Sequence, residues 1–143
     1  MPDTFHLHTR LEQDCIPVGR FELCRLLMMN DCQYPWFILV PEVAGATEIY
    51  QLNKAQRALL IEESCYLAET LVTLYEAHKM NIAAIGNLVP QLHIHHVVRY
   101  QTDIAWPGPI WGKFATLPYT EQQIEDNLAR LRGGLRGCFE TAK

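Results

Sequence analysis

Apolar stretches in the first third of the chain predict β-strands. Gly19–Met29 and Trp36–Glu42 are rich in aliphatic and aromatic residues, and the connector "NDCQYP" between them has the Asn, Asp and Pro composition of a turn. Two strands with so short a link predict an antiparallel hairpin. Phe5–Leu11 alternates apolar and polar residues, which predicts an edge strand.

The middle of the chain has a helical pattern. The stretch from Asn53 to Lys79 contains no Gly or Pro and is rich in helix formers. Asn53 and Gln56 resemble a capping pair at its start. Leucines recur at helical spacing, at Leu60, Leu67, Leu71 and Leu74. We expect one long helix over about 53–79, with one face packed on a sheet.

Two more strands are predicted after this helix. Asn81–Asn87 and Leu92–Tyr100 are apolar runs joined around Pro90. The following "AWPGPIWG" predicts a loop, because Pro and Gly together interrupt regular structure.

A closing helix completes the pattern. Thr120 is a candidate N-cap with Gln123 three residues later, and the glycine pair 133–134 ends the helix, which we place at about 119–136. The order of strands, helix, strands and helix predicts a single α+β domain over 1–143, with an antiparallel sheet of about five strands.

Composition and charge narrow the possible partners. The chain has 143 residues, of which 49% are hydrophobic and 20% charged, as in an ordinary globular protein. Its formal net charge is −4, so the sequence predicts neither long nucleic acid nor an anionic membrane as a partner. A small nucleotide stays possible, because backbone N–H groups in a pocket can bind phosphate.

The sequence predicts a cytoplasmic location. The first ten residues lack the charged start and apolar core of a secretory signal, and no apolar run approaches the roughly 20 residues that a membrane span needs. The cysteines are odd in number and never form C-x-x-C, so we expect reduced thiols rather than disulfides or a cysteine zinc site. They are Cys15, Cys24, Cys32, Cys65 and Cys138.

Candidate chemistry concentrates in the stretch "VPQLHIHHVVRY", which contains three histidines in four positions. Side chains of a strand alternate between its two faces. Gln91, His93 and His95 then share one face, while His96 lies on the opposite, apolar face. We therefore expect His96 to pack towards the core or a helix with a hydrogen-bond partner.

Three uses of His93 and His95 are compatible with this spacing. H-x-H on a strand is a common pair of zinc ligands, and His6 and His8 would complete a four-histidine site if their segment lay alongside. The two side chains would alternatively be hydrogen-bonded residues of a polar patch. The third use is nucleophilic or acid–base catalysis, natural for a side chain that titrates near neutrality.

The same stretch resembles the active-site strand of the histidine triad (HIT) superfamily, whose motif is His-φ-His-φ-His-φ-φ with φ apolar. The subfamily form Asn-x-Val-Pro-His-x-His-x-His is matched by Asn87, Val89, Pro90, Gln91, His93 and His95. The hairpin, the long helix and the Gly-Asn before the motif also follow the family's order. The resemblance covers about 19–111 and implies a HIT-like fold, closest to the diadenosine polyphosphate hydrolase-like branch.

What the resemblance implies is nucleotidyl hydrolysis or transfer at the α-phosphate of a nucleoside phosphate ester, anhydride or phosphoramidate. His93 matches the nucleophile that attacks phosphorus and forms a nucleotidyl-histidine intermediate, and His95 matches the residue that contacts phosphate and leaving group. A backbone carbonyl near His95 is expected to hold the His93 ring in the reactive tautomer. The resemblance also implies a homodimer, with no metal and no other cofactor.

Two positions depart from the family pattern. Gln91 stands where the first triad histidine is expected; glutamine cannot carry charge or relay a proton, but its amide can still donate a hydrogen bond, so we expect Gln91 to contact the nucleotide phosphates. Trp36 stands where many members have a histidine, and its bulk is expected to reshape or close the nucleotide pocket. If Gln91 removed an assisting group, Gln91→His should raise turnover; an unchanged or lower rate would mean that the pocket has adapted.

Further residues are candidates by position. Asn30 resembles a ribose contact but equally suits a turn, and Asn87 and Gly86 resemble phosphate contacts in the loop before the motif. In the loop after the histidines, Trp111 would either border the nucleotide pocket or anchor the loop to the core. Arg99 and Asp103 suggest a surface ion pair of little energetic value.

The sequence thus predicts a HIT-like nucleotidyl hydrolase or transferase, with hydrolysis preferred. The alternatives are a nucleotide-binding HIT-like module with little or no catalysis, because Gln91 and Trp36 have altered the site, and a histidine-based metal-binding domain.

Overall fold

The computed structural model describes residues 4–136 and 139–142 and centres on an antiparallel sheet. Six strands form it, one more than expected, in the spatial order β4-β5-β3-β2-β1-β6. The α+β class and the antiparallel sheet are confirmed. The strands are β1 (Cys15–Arg20), β2 (Cys24–Met29), β3 (Trp36–Pro41), β4 (Lys79–Ala83), β5 (Ile94–Arg99) and β6 (Glu140–Thr141).

The helices are α1 (Thr9–Asp14), α2 (Lys54–Tyr75) and α3 (Glu121–Gly134). The long helix and the closing helix are confirmed, and both begin at the predicted caps. Asn53 and Thr120 each accept a hydrogen bond from a backbone N–H three residues later, completing reciprocal capping boxes. Helix α2 ends earlier than predicted, because Glu76 adopts a left-handed conformation with φ of 50°.

The N-terminal third differs from the predicted pattern. Phe5–Leu11 is not a strand: the chain is irregular up to His8, whose ring nitrogen Nδ1 caps helix α1 by accepting from the Arg10 N–H at 3.0 Å. Gly19–Met29 is not one strand either. The backbone turns between β1 and β2, where the Phe21 N–H donates to the Cys24 carbonyl at 2.8 Å.

The two faces of the sheet carry separate apolar layers. Helices α2 and α3 cover one face, with Leu67 and Leu131 fully buried against Phe37 and Val98 of the sheet. The other face packs on α1 and the irregular segments 84–93 and 100–119, in a second cluster that includes Leu11. Strand β5 lies between β4 and β3 and is buried on both faces. Because side chains of a strand alternate between its faces, those of β5 enter both layers.

The Arg99–Asp103 pair is buried rather than exposed, which corrects the prediction. The guanidinium makes two hydrogen bonds to the carboxylate, at 2.8 and 3.0 Å, and the two side chains are 1% and 4% exposed. Trp106 lies over the guanidinium at 5.5 Å. The pair thus closes the turn after β5 from inside, and removal of either partner would leave a buried charge.

Cys15, Cys24, Cys32 and Cys65 are free thiols, whereas Cys138 lies outside the described residues. None of the helices in residues 4–136 and 139–142 has the length and apolar character that crossing a membrane requires.

Candidate functional site

A cavity of about 380 Å³ lies on the face of the sheet opposite α2. Trp36, Ile38 and His95 from the adjacent strands β3 and β5 line it together with His93, which directly precedes β5. The remaining walls come from the loop 85–89, helix α1, Met29 of β2 and the segment 111–112. The two candidate histidines therefore meet at one concave surface large enough for part of a nucleotide.

The His93 ring is fixed by a main-chain carbonyl. Its Nδ1–H donates to the Gln91 carbonyl at 2.7 Å, so the carbonyl near His95 was the wrong expectation. Because a carbonyl only accepts, Nδ1 carries the proton and Nε2 keeps the lone pair. Burial lowers the pKa of His93; the bond to Gln91 opposes this shift and nearby His8 reinforces it. An imidazole in this tautomer keeps an Nε2 lone pair, which is the state that nucleophilic attack requires.

His95 is fixed by a side chain instead. The indole Nε1–H of Trp36 donates to His95 Nδ1 at 2.9 Å, and the His93 and His95 ring centroids are 4.9 Å apart. Burial, followed by the nearby His93 and His96, lowers the pKa of His95 to about 3. Trp36 therefore leaves the cavity open and engages one of its two histidines.

His96 lies on the opposite face of β5, as alternation predicted. Its Nδ1–H donates to the Ile94 carbonyl at 3.1 Å, and its Nε2 accepts from the Ser64 hydroxyl of α2 at 2.7 Å. The residue is fully buried, and burial lowers its pKa to about 4, although the bond to Ile94 opposes the shift. Both ring nitrogens are satisfied, so His96 ties α2 to the sheet.

A family model described as "HIT domain" matches residues 10–102, a segment that includes all but the first residue of α1, the first five strands and both cavity histidines. The chain belongs to the HIT domain family. No curated protein matches the chain significantly.

Solved structures of HIT proteins have the same fold. A histidine triad protein from Marinobacter aquaeolei VT8 is 50% identical, with a TM-score of 0.90 over 92% of this chain and 96% of that one. Histidine triad proteins from Sinorhizobium meliloti 1021 and Bradyrhizobium japonicum are 41% and 38% identical. Each has a TM-score of 0.90 over 92% of this chain and 98% of its own.

Gln91 does not line the cavity that holds the two histidines. It precedes β5 in an irregular segment, and its side chain reaches the N-terminal segment. Its Oε1 accepts from the His8 N–H and its Nε2 donates to the His6 carbonyl, both at 2.8 Å. The side-chain amide of Gln91 thus fastens the segment that leads into α1, while its main-chain carbonyl accepts the hydrogen bond from His93.

Asn87 and Gly86 line the same cavity as His93. Gly86 has a φ of +66°, and an added Cβ would stand 3.3 Å from the Val89 carbonyl oxygen. A side chain at this position would therefore strain the loop that borders the histidines. Asn87 is exposed at the rim.

Asn30 lies outside the histidine cavity. Its Oδ1 accepts from the Tyr119 N–H at 2.9 Å, a contact between distant parts of the sequence that fastens the segment before α3. It lines a second cavity of about 330 Å³ that shares Arg10, Asp14 and Met29 with the first. A ligand that extended past these three shared residues would reach it.

Helix α1 supplies a wall that sequence reasoning missed. Arg10, Leu11 and Asp14 line the cavity, and Arg10 Nε binds the Asp14 carboxylate at 2.8 Å. The signal was present, because opposite charges four residues apart are a helix pattern. The alternation of Phe5–Leu11 concealed it.

Trp111 plays both roles considered for it. It lines the cavity, with its ring centroid 5.4 Å from that of His95, and it also packs against the apolar cluster of that face. Trp106 instead packs on His78 and Arg99, away from the cavity.

A four-histidine metal site finds no support. The segment that carries His6 and His8 is not a strand, and the His8 ring is used as a helix cap. Within the described part of the chain, no three His, Cys, Asp or Glu side chains are grouped so that they could hold a metal ion.

Proposed function

We propose that this HIT protein is a nucleotidyl hydrolase or transferase that acts at the α-phosphate of a nucleoside phosphate ester, anhydride or phosphoramidate, with hydrolysis preferred. The observation that carries the proposal is the geometry of His93. The Gln91 main-chain carbonyl oxygen lies 2.7 Å from His93 Nδ1 and keeps the proton on that nitrogen. The ring also lines a cavity beside a second histidine. This combination leaves a neutral imidazole lone pair for attack on phosphorus.

The reaction proceeds in two displacements. The lone pair of His93 Nε2 forms a bond to the α-phosphorus while the bond to the leaving group breaks, and that electron pair departs with the leaving group. A water oxygen then attacks phosphorus, and the P–N bond breaks with its electrons returning to Nε2. The water proton passes to solvent, and a nucleoside monophosphate is released.

Neighbouring groups position the substrate in this proposal. His95 contacts the phosphate oxygens and the leaving group, and Gly86 and Asn87 bring backbone and amide groups to the phosphate. Asn30 meets the ribose through the adjoining cavity, and Gln91 contributes through its hold on His93 and the N-terminal segment. The protein requires no bound metal or other cofactor in this scheme, and the cytoplasmic location stays a prediction.

The test is turnover of nucleoside polyphosphates and dinucleoside polyphosphates with each of the common bases. Wild-type protein should release nucleoside monophosphate, and His93→Ala should not. His6→Ala is the matched control, because His6 is an exposed histidine outside the cavity lining. Absence of turnover with every substrate would overturn the proposal.

A nucleotide-binding module without catalysis is the second candidate. It is favoured by the engagement of Gln91, whose side-chain amide is occupied by residues 6 and 8. Nucleotide-dependent thermal stabilisation without product formation would establish it.

We also propose a homodimer. Strand β4 is an edge of the sheet, and apolar side chains near it are exposed, with Ile82 49% and Leu88 86% accessible. Such an edge is a ready surface for pairing with a second copy. Sedimentation of the purified protein should give twice the mass of the chain, and Ile82→Lys should shift it to the monomer. A wild-type monomer at micromolar concentration would contradict this assignment.

A further inference from the structure

The three histidines around β5 do not share one tautomer. His93 and His96 each donate Nδ1–H to the carbonyl two residues earlier, at 2.7 and 3.1 Å. His95 does not, because its Nδ1 is taken by the Trp36 indole at 2.9 Å. An indole N–H donates and never accepts, so His95 Nδ1 carries no proton.

This contact determines the state of His95. A neutral ring with a bare Nδ1 has its proton on Nε2, on the side of the ring away from Trp36. Conversion to the cation would put a second proton against the indole N–H. Trp36 is 8% and His95 5% exposed, so the lost bond would be poorly compensated by bulk water. The hydrogen bond from Trp36 and the burial of His95 therefore both favour the neutral ring over the cation.

Among the residues that the structure describes, the other charged and titratable groups around the cavity are engaged in contacts of their own. His93 is the nucleophile, and Gln91 carries no charge and is engaged elsewhere. The charged residues of the lining, Arg10 and Asp14, form an ion pair with each other. On the remaining sides, His8 caps α1 through its Nδ1 and His96 is held by Ser64 beyond the sheet.

We propose that Trp36 is a positioning residue that holds His95 as a neutral Nε2–H donor, and that the site therefore prefers phosphoanhydrides to phosphoramidates and alkyl esters. The proposal rests on the proposed function. A phosphate leaving group departs with the electron pair of the broken P–O bond and is stable as an anion. An amine or alkoxide leaving group needs a proton as its bond breaks, and a neutral imidazole is a very weak acid.

The first test reads the tautomer directly and requires no activity. Nitrogen-15 NMR of labelled protein, with His95→Asn to assign the signal, should show only the Nε2–H form of His95 from about pH 8 down to about pH 5. Trp36→Phe should make His95 titrate at higher pH. Trp111→Phe is the matched control, because that ring also contacts His95 but makes no hydrogen bond to it, and it should leave the tautomer unchanged.

An Nδ1–H form of His95 in the wild-type protein would overturn the role of Trp36, as would titration near its ordinary pKa of 6.5. This outcome does not depend on whether Trp36→Phe folds, since the wild-type spectrum alone decides it.

The second test compares substrates that share one nucleoside and differ only in the leaving group. Wild-type kcat/KM should be at least about 100-fold higher for the anhydride than for the phosphoramidate, the scale of one lost general acid. The ratio should shrink about 10-fold in Trp36→Phe, and more at pH 5.5 than at pH 8, but not in Trp111→Phe.

Comparable wild-type rates on both substrates, or a ratio insensitive to Trp36→Phe, would overturn the leaving-group preference. Loss of turnover on every member would instead overturn the proposed function and the preference with it, while the NMR result still decides whether Trp36 sets the tautomer.

Discussion

The two faces of β5 carry the same residue type in different roles. His95 and His96 are neighbours, both nearly inaccessible, and burial lowers the pKa of each well below 6.5. His96 uses both ring nitrogens, towards Ser64 and Ile94. Within the described residues, His95 and His93 each make one ring hydrogen bond and line a cavity. A ring nitrogen left available at a cavity, rather than burial or a shifted pKa, marks the candidate catalytic face.

The largest effect is expected from removal of His93, the proposed nucleophile. His93→Ala should lower kcat/KM at least about 1000-fold, because a covalent route cannot proceed without its nucleophile. The thermal midpoint should change little, since the ring borders a cavity. If His93→Ala kept a tenth of wild-type activity, the assignment of catalysis to the cavity face of β5 would be wrong.

The next effect falls on the other face and on stability. His96→Ala should reduce the free energy of unfolding by about 2–4 kcal/mol, because it opens a cavity in the core and strands the Ser64 hydroxyl. Denaturant titration measures this loss. The kcat of the folded fraction should stay within a few-fold of wild type, and a 100-fold fall would place His96 in the catalytic machinery instead.

Ser64→Ala is the milder companion to that change. It removes only the hydroxyl, so it should cost less than His96→Ala, about 1–3 kcal/mol. Equal stability of wild type and Ser64→Ala would show that the contact does not hold α2 to the sheet.

A decrease in pH should destabilise the protein through the buried histidines on both faces of β5. The pKa values of His95 and His96 are about 3 and about 4 in the folded protein and near 6.5 when unfolded. Below pH 6.5 the unfolded chain therefore binds protons that the folded protein excludes, and stability falls as pH decreases. Each histidine contributes a slope of up to about 1.4 kcal/mol per pH unit.

Denaturant titrations between pH 7 and pH 4.5 measure that slope. His96→Asn should reduce it by roughly one histidine's share. Stability that stayed constant over this interval would contradict the buried, neutral state of these rings.

The smallest effect is expected at Gln91. Gln91→Ala removes two hydrogen bonds to the N-terminal segment and should cost about 1–2 kcal/mol and a few-fold in kcat/KM. Gln91→His should not exceed wild-type turnover, because an imidazole cannot reproduce both bonds of the amide. A Gln91→His variant that was faster than wild type would show that the position lost an assisting group.

Local signals were sufficient to predict both main helices. The capping residues Asn53 and Thr120 act within one turn of their own helices, so the sequence carries all the information that their capping boxes need. The opposite-facing position of His96 followed from strand alternation alone, because residues 94–99 form a regular strand.

Long-range contacts explain what the sequence did not reveal. Alternation placed Gln91 beside the two histidines, but β5 starts at Ile94 and the segment before it is irregular. The Gln91 side-chain amide instead forms hydrogen bonds with the backbone of His8 and His6, which lie 83 and 85 positions earlier in the sequence. Likewise, Arg99 and Asp103 are buried by packing that includes Trp106, which their spacing could not disclose.

The most direct measurement is capture of the covalent intermediate. The protein is mixed with a dinucleoside polyphosphate that it hydrolyses, and the reaction is stopped with base within one turnover. After digestion, the peptide that contains His93 should carry one nucleoside monophosphate. The adduct should be acid-labile, absent from His93→Ala and present in His96→Asn. Continued turnover with no adduct at early times, or an adduct on His95 or His96, would contradict attack by His93.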